Sequence, residues 1–161
     1  MEVTIRSAGP RDVPRMLELV KELALFERAP EAVTVTEEEM RDAGFGPNAV
    51  WVGWVAEEQG AILGMAICYT RYSTWRGRVL YLEDIVVTEA ARGQGIGDRL
   101  IRTCIEYAAE QGYARMRWQV PDWNTEAMRF YERFGAIFDN GWVNVELDRE
   151  NMRAIAGVAH G

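Results

Sequence analysis

The run Val79-Leu80-Tyr81-Leu82-Glu83-Asp84-Ile85-Val86-Val87 leads within a few residues into Ala91-Arg92-Gly93-Gln94-Gly95-Ile96-Gly97-Asp98, and then into an amphipathic stretch ending near Gln111-Gly112. No other feature constrains the fold as tightly. A run that is apolar on both faces at its ends belongs at the centre of a sheet. A glycine-rich loop between such a strand and a helix implies an α/β layer arrangement. Alternate glycines permit backbone geometries that other residues resist. Successive amides can then point outward, and the helix start adds its positive end. Arg92 can supply charge to a phosphate. The chemistry implied is pyrophosphate binding, although spacing alone also allows a glycine-rich turn with no ligand. A P-loop would need Gly-Lys-Ser/Thr, which is missing. A dinucleotide fingerprint would need Gly-x-Gly-x-x-Gly after an early strand, whereas this loop lies mid-chain.

The flanking chain reads as one mixed domain over 1–161, with a core of about 5–147 and a tail of 148–161. Glu2 to Arg6 alternates like a strand. Asp12 is placed to cap a helix that runs to about Arg28, with Pro14 in its first turn. Thr36 and Glu39 form a capping-box pattern opening a helix from Glu37 to Ala43. Val50–Glu57 and Ile62–Tyr72 form a hairpin, and Arg76-Gly77 turns the chain into the central strand. Ala114 to Val120 reads as a strand, Asn124 or Thr125 as the cap of a helix to Phe134, and Ile137–Phe138 with Trp142–Leu147 as a hairpin around Asp139-Asn140-Gly141. The predicted class is α/β (α+β), a single domain with a mixed, mostly antiparallel sheet flanked by helices.

Composition narrows the chemistry. Eighteen basic and 25 acidic side chains give a net charge of −7 over 161 residues. That charge opposes nucleic-acid binding, which needs a basic face, and suits a cationic partner. The only histidine is His160, and the only cysteines are Cys68 and Cys104. Cys/His zinc sites, disulfide scaffolds and histidine-dependent nucleophiles are therefore disfavoured. A general base would be a carboxylate, a tyrosine, the single lysine (Lys21) or water. With no signal-like N-terminus and no spanning apolar run, the expectation is a cytoplasmic protein without a membrane partner. The two cysteines read as core residues.

Arg92-x-x-Gly95-x-Gly97, following Tyr81 to Val87, resembles the acetyl-CoA motif of the GNAT superfamily of N-acetyltransferases. Trp123-Asn124, Phe130-Tyr131 and Phe134-Gly135-Ala136 resemble its second cofactor segment. Lys21-Glu22-Leu23-Ala24, Asp42-Ala43-Gly44-Phe45-Gly46 and Tyr72-Ser73-Thr74-Trp75-Arg76-Gly77-Arg78 are similar to the diamine (spermidine/spermine) and thialysine acetyltransferase branch. The likeness runs from about Ile5 to Leu147.

The resemblance implies an acetyl-CoA-dependent N-acetyltransferase acting on a small cationic amine by direct attack, with no metal. It implies that the backbone of Ile85, Val86 and Val87 meets the pantetheine arm. It places the pyrophosphate on Gly93, Gln94, Gly95, Ile96, Gly97 and Asp98 beside Arg92, with Asn124 on the cofactor arm. Tyr131 matches the general acid and Glu83 the general base. Phe26, Glu27, Asp84 and Trp75 match acceptor-binding positions. Neighbouring strand residues point to opposite faces, so Glu83 and Asp84 can both reach one cleft only across a bulge. Ser73 and Asn140 stand where polyamine-acting members carry acids, which favours a smaller acceptor. The branch implies a homodimer. The alternatives are an acetyltransferase of protein or peptide amines and a non-catalytic acetyl-CoA-binding module.

Overall fold

The computed structural model describes residues 2–159; His160, the tail histidine, lies outside them. The chain divides into two compact units, one reaching Pro121 and the other starting at Asp122.

The first unit is built on a sheet of five strands in the order β1-β2-β3-β4-β5. They are β1 (Thr4–Ser7), β2 (Val52–Glu58), β3 (Ala61–Ser73), β4 (Gly77–Val87) and β5 (Arg115–Arg117). All neighbours are antiparallel except β4 and β5, which run parallel. The sheet is therefore mixed and mostly antiparallel, as the sequence predicts. Gln59 and Gly60 join β2 to β3 with φ of 49° and 82°, the positive pair that a tight two-residue hairpin turn requires.

Helices cover both faces. On one, α1 (Val13–Phe26) and α2 (Glu37–Phe45) bury Val13, Met16, Leu17, Leu19 and Met40 against Val55, Met65, Ile67 and Val86. On the other, α3 (Ile96–Glu110) buries Leu100, Ile101, Cys104 and Ala108. Trp54 from β2 meets Tyr107 of α3 edge-on, with ring centroids 5.0 Å apart. Alternation along β3 accounts for this division: Met65 and Ile67 face α1, whereas Gly64, Ala66 and Cys68 face α3. Cys68 and Cys104 are both fully buried. Their mutual hydrogen bond, then burial, pushes the Cys68 thiol up.

Gly64 marks a close approach. A Cβ there would stand 2.8 Å from the Val86 carbonyl oxygen and 3.2 Å from Leu100 Cδ1. Gly64→Ala is expected to destabilise the fold by about 1–3 kcal/mol through overpacking. An unchanged melting temperature would show that β3 can move aside.

Four sequence expectations need correction. Asp12 does not cap α1 with its side chain. Its carboxylate instead takes two bonds from the Arg6 guanidinium, at 2.8 and 2.9 Å, and one from the Gly9 amide at 2.7 Å. Arg6 holds Asp12 below its ordinary pKa. Second, β5 closes after three residues, not seven. Third, no strand ladder forms between Ile137 and Leu147 among the described residues. Asp139 does make the predicted turn locally, accepting the Gly141 amide at 3.1 Å and Trp142 Nε1 at 3.0 Å. α2 also runs on to Phe45, with Thr36 Oγ1 accepting the Glu39 amide at 3.1 Å as its cap.

The second unit holds α4 (Thr125–Glu132) and α5 (Arg149–Ala156). Asn124 caps α4, its Oδ1 accepting the Ala127 amide at 3.1 Å.

Candidate active site

The middle of β4 carries the chemistry. Ile67 of β3 faces Asp84, and the next residue, Cys68, faces Leu82. Glu83 is therefore the extra residue of a β-bulge. The bulge resets the alternation: Leu82 stays with Cys68 on the α3 face, whereas Asp84 joins Ile67 on the α1 face. In a regular strand Asp84 would share the α3 face with Leu82, in the apolar layer.

Glu27 follows the last residue of α1, and it is close enough to Asp84 to raise its pKa. Burial first, then the charges of Glu83 and Glu27, push the Asp84 carboxyl from its ordinary 3.8 up to about 6. Burial also raises the Glu27 carboxyl. Three carboxylates from two elements thus share one electrostatic neighbourhood. Such a cluster is costly unless a cation joins it. No group of His, Cys, Asp and Glu arranged to hold a metal ion occurs among the described residues.

Beyond the bulge β4 loses its parallel neighbour. β5 pairs with Val79, Leu80 and Tyr81 only, so on that side Leu82 to Val87 have no strand partner among the described residues. An extended chain carrying amides can pair there as a strand would. Next comes a 3-10 turn, Glu89–Ala91, and then the glycines. Gly93 and Gly95 adopt φ of 79° and 78°. A Cβ at either would meet nothing within 4 Å, so the loop is an open cradle. Gly95 is the N-cap of α3, and no side chain caps that end. The leading amides, Ile96 to Asp98, have no intrahelical acceptors. These features fit a pyrophosphate at the loop and an amide-bearing arm on β4. The Asp98 side chain is engaged elsewhere, 2.7 Å from Arg102 Nε.

Arg92, expected beside the pyrophosphate, lies at the loop and is tied back to β4 and α1. Its Nε donates to the Val87 carbonyl at 3.1 Å, and its guanidinium carbon lies 5.5 Å from the centre of the Phe26 ring. Its Nη2 is 4.0 Å from Glu22 Oε1. Glu22 is not among the site residues expected from the sequence, where it stands only within a family-like block. The available signal was its helical spacing, i to i+4, from Phe26.

The fold thus gathers Glu27, Glu83 and Asp84, and brings Phe26 against Arg92. Trp75 is not gathered with them. It sits at the tip of the β3–β4 hairpin, 82% exposed. Gly77 to Glu83 spans six steps of ~3.3 Å, about 20 Å along β4. Ser73 serves that tip, its Oγ accepting the Trp75 and Arg76 amides at 3.2 and 3.1 Å. Tyr131 and Asn124 belong to the second unit. Tyr131 is half-buried on α4, its ring centroid 5.5 Å from that of Phe130.

Comparison with known proteins places the chain in a family. Residues 14–136 match the model of the acetyltransferase (GNAT) family. Thialysine N-epsilon-acetyltransferase of Bos taurus is 38% identical over 166 aligned residues, covering 96% of this chain and 98% of the relative. Spermidine/spermine N(1)-acetyltransferase-like protein 1 of Homo sapiens is 33% identical over 94% of this chain, but that stretch is 23% of its own length. Among solved structures, an integron cassette protein from the mobile metagenome of V. cholerae superposes with a TM-score of 0.77 at 20% identity, covering 97% of this chain and 98% of the other. Enzymes of the family use acetyl-CoA as co-substrate. The chain belongs to the GNAT family and is an N-acetyltransferase.

Proposed function

We propose that this enzyme transfers the acetyl group of acetyl-CoA to a small primary amine of the thialysine, diamine or polyamine kind, by direct attack in a ternary complex. The observation that carries the reading is the cluster of Glu27, Glu83 and Asp84 at the β4 bulge, in a chain of this family. A compact anionic patch suits an acceptor that arrives as an ammonium ion. The close similarity to thialysine acetyltransferases supports the smaller acceptors. So does the use of Ser73 as a turn residue, where a long polyamine would need another anion.

The roles follow from ordinary acid–base chemistry. Amines of lysine type have a pKa of about 10.4 and arrive protonated. Glu27 and Asp84 hold the ammonium ion, with Phe26 alongside. Glu83 takes the proton, directly or through water, which frees the nitrogen lone pair. Ile85 to Val87 and the amides of Gly93 to Asp98 bind acetyl-CoA, which supplies the acetyl thioester. We assign Asn124 to the cofactor arm and Tyr131 to protonation of the departing thiolate, on the family pattern of their segment. A thiol route through an acetyl-enzyme has little support, because Cys68 and Cys104 are buried and Cys68 resists ionisation. Glu83→Gln is expected to lower kcat about tenfold or more at saturating amine. An unchanged kcat would give the proton to water alone.

We also propose that the two units act as one acetyltransferase domain, since the family match crosses from one into the other. We further propose that the enzyme is a homodimer, as the branch implies, and that it is cytoplasmic. No helix among the described residues is long and apolar enough to cross a membrane. The deciding test is thiol release from acetyl-CoA with thialysine, lysine, putrescine, spermidine and spermine in turn. Release with a small amine is expected. Failure with all five would overturn the acceptor class while leaving the family standing.

A further inference from the structure

Glu22 reaches from α1 to the start of the cofactor loop and holds it with several bonds. Its Oε1 accepts the Glu89 amide at 2.9 Å, and its Oε2 accepts the Thr88 hydroxyl at 3.0 Å. Glu89 opens the 3-10 turn that leads into Arg92 and the glycines. That turn lacks a side-chain cap of its own, because Thr88 turns its hydroxyl toward Glu22. Glu22 therefore satisfies, from another element, the kind of amide that a local cap normally satisfies. One helical turn further along the same face, Phe26 lies under the Arg92 guanidinium. Arg92 is tied back to Val87 at the end of β4. Glu22, Phe26, Thr88 and Arg92 thus strap the loop to the helix that Glu27 follows.

We propose that Glu22 is a positioning residue that sets the conformation of the acetyl-CoA loop from α1. The inference rests on the acetyl-CoA reading above. It assigns the loop geometry to a carboxylate that touches neither substrate. It also assigns Arg92 to the strap and not to the pyrophosphate. Loss of a charged acceptor that holds two donors loosens the turn before the glycines. The leading amides of α3 must then be ordered when acetyl-CoA binds, and affinity for acetyl-CoA falls.

The test is acetyl-CoA binding by calorimetry on the full chain, together with steady-state kinetics using thialysine. Glu22→Ala is expected to raise both Kd and KM for acetyl-CoA roughly tenfold, with kcat at saturation within about threefold of wild type. Glu22→Gln keeps an oxygen for the Glu89 amide and is expected to recover about half of that loss on a logarithmic scale. A merely structural glutamate would lower the melting temperature and the active fraction without shifting KM. The proposal is overturned by an acetyl-CoA Kd within about twofold of wild type in folded Glu22→Ala, or by a fall in kcat alone. Should Glu22→Ala fail to fold, Thr88→Val decides. It removes one donor, and an unchanged Kd in that variant overturns the proposal. A wild-type chain that binds acetyl-CoA while the variants bind it equally well overturns this inference only. A wild-type chain that does not bind it overturns the functional reading as well.

Discussion

Replacing Tyr131 with phenylalanine is expected to lower kcat about a hundredfold while leaving acetyl-CoA affinity nearly unchanged. The substitution deletes one hydroxyl. The ring that lies beside Phe130 remains, so α4 keeps its packing. A phenol has a pKa of about 10 and stays protonated at neutral pH. Placed beside the sulfur, it can donate a hydrogen bond and then its proton as negative charge builds there, which speeds departure and keeps the thiolate from returning. Removal of a general acid of this kind costs ~10²–10⁴ in rate. The measurement is kcat at saturating thialysine, beside the Kd for acetyl-CoA. An unchanged kcat would remove Tyr131 from the mechanism. A parallel loss of acetyl-CoA affinity would make it a binding residue.

Asp84→Asn is expected to strengthen the fold and weaken the enzyme. The folded protein holds the Asp84 proton more tightly than the unfolded chain does, because its carboxyl titrates near 6 and not at 3.8. Its favourable contribution is complete below about pH 3.8 and drains away as the pH rises through 6. At neutral pH the ionised Asp84 is a net cost, up to about 3 kcal/mol if that whole shift is expressed. Asparagine removes the charge, so the melting temperature of the ligand-free protein should rise at neutral pH. At a pH below the ordinary carboxylate range the difference should vanish. The acceptor KM should move the other way, rising roughly tenfold or more as one charged partner of the ammonium ion is lost. A lower melting temperature at neutral pH would show that Asp84 has a stabilising partner and is not held for a cation. Wild-type acceptor KM should also climb as the pH falls through about 6, where Asp84 takes up its proton.

Much of this arrangement was legible in the sequence because it is local. The glycine loop, the start of α3 and the Thr36 cap depend on residues next to one another. Amphipathic spacing placed α1 and α3 to within a few residues. The two carboxylates of β4 were readable as chemistry, but their geometry was not. The bulge at Glu83 was readable only as the condition for both carboxylates to reach one cleft, a condition the structure meets, because its register is set against β3, a partner more than ten residues away. The grip of Glu22 on Thr88 and Glu89 links residues more than sixty apart. The misplaced Asp12 has a similar cause, since a cap preference was overridden by Arg6 of β1. The segment from Ile137 to Leu147 has both a turn signal and strand-forming residues. The turn forms at Asp139, but a short two-stranded ladder is marginal without a third strand beside it. Trp75 shows the limit of motif transfer, because a family-like block located it in sequence and the length of β4 set it apart from the carboxylates.

The most direct measurement is amine-dependent thiol release from acetyl-CoA with thialysine, followed as the pH is raised through 6 in the wild type and in Asp84→Asn. Release should require the amine, with kcat/KM for thialysine rising through about 6 in the wild type as Asp84 ionises. That rise should be reduced or absent in Asp84→Asn. Release that is indifferent to the amine, or a pH profile identical in the two proteins, would contradict this mechanism.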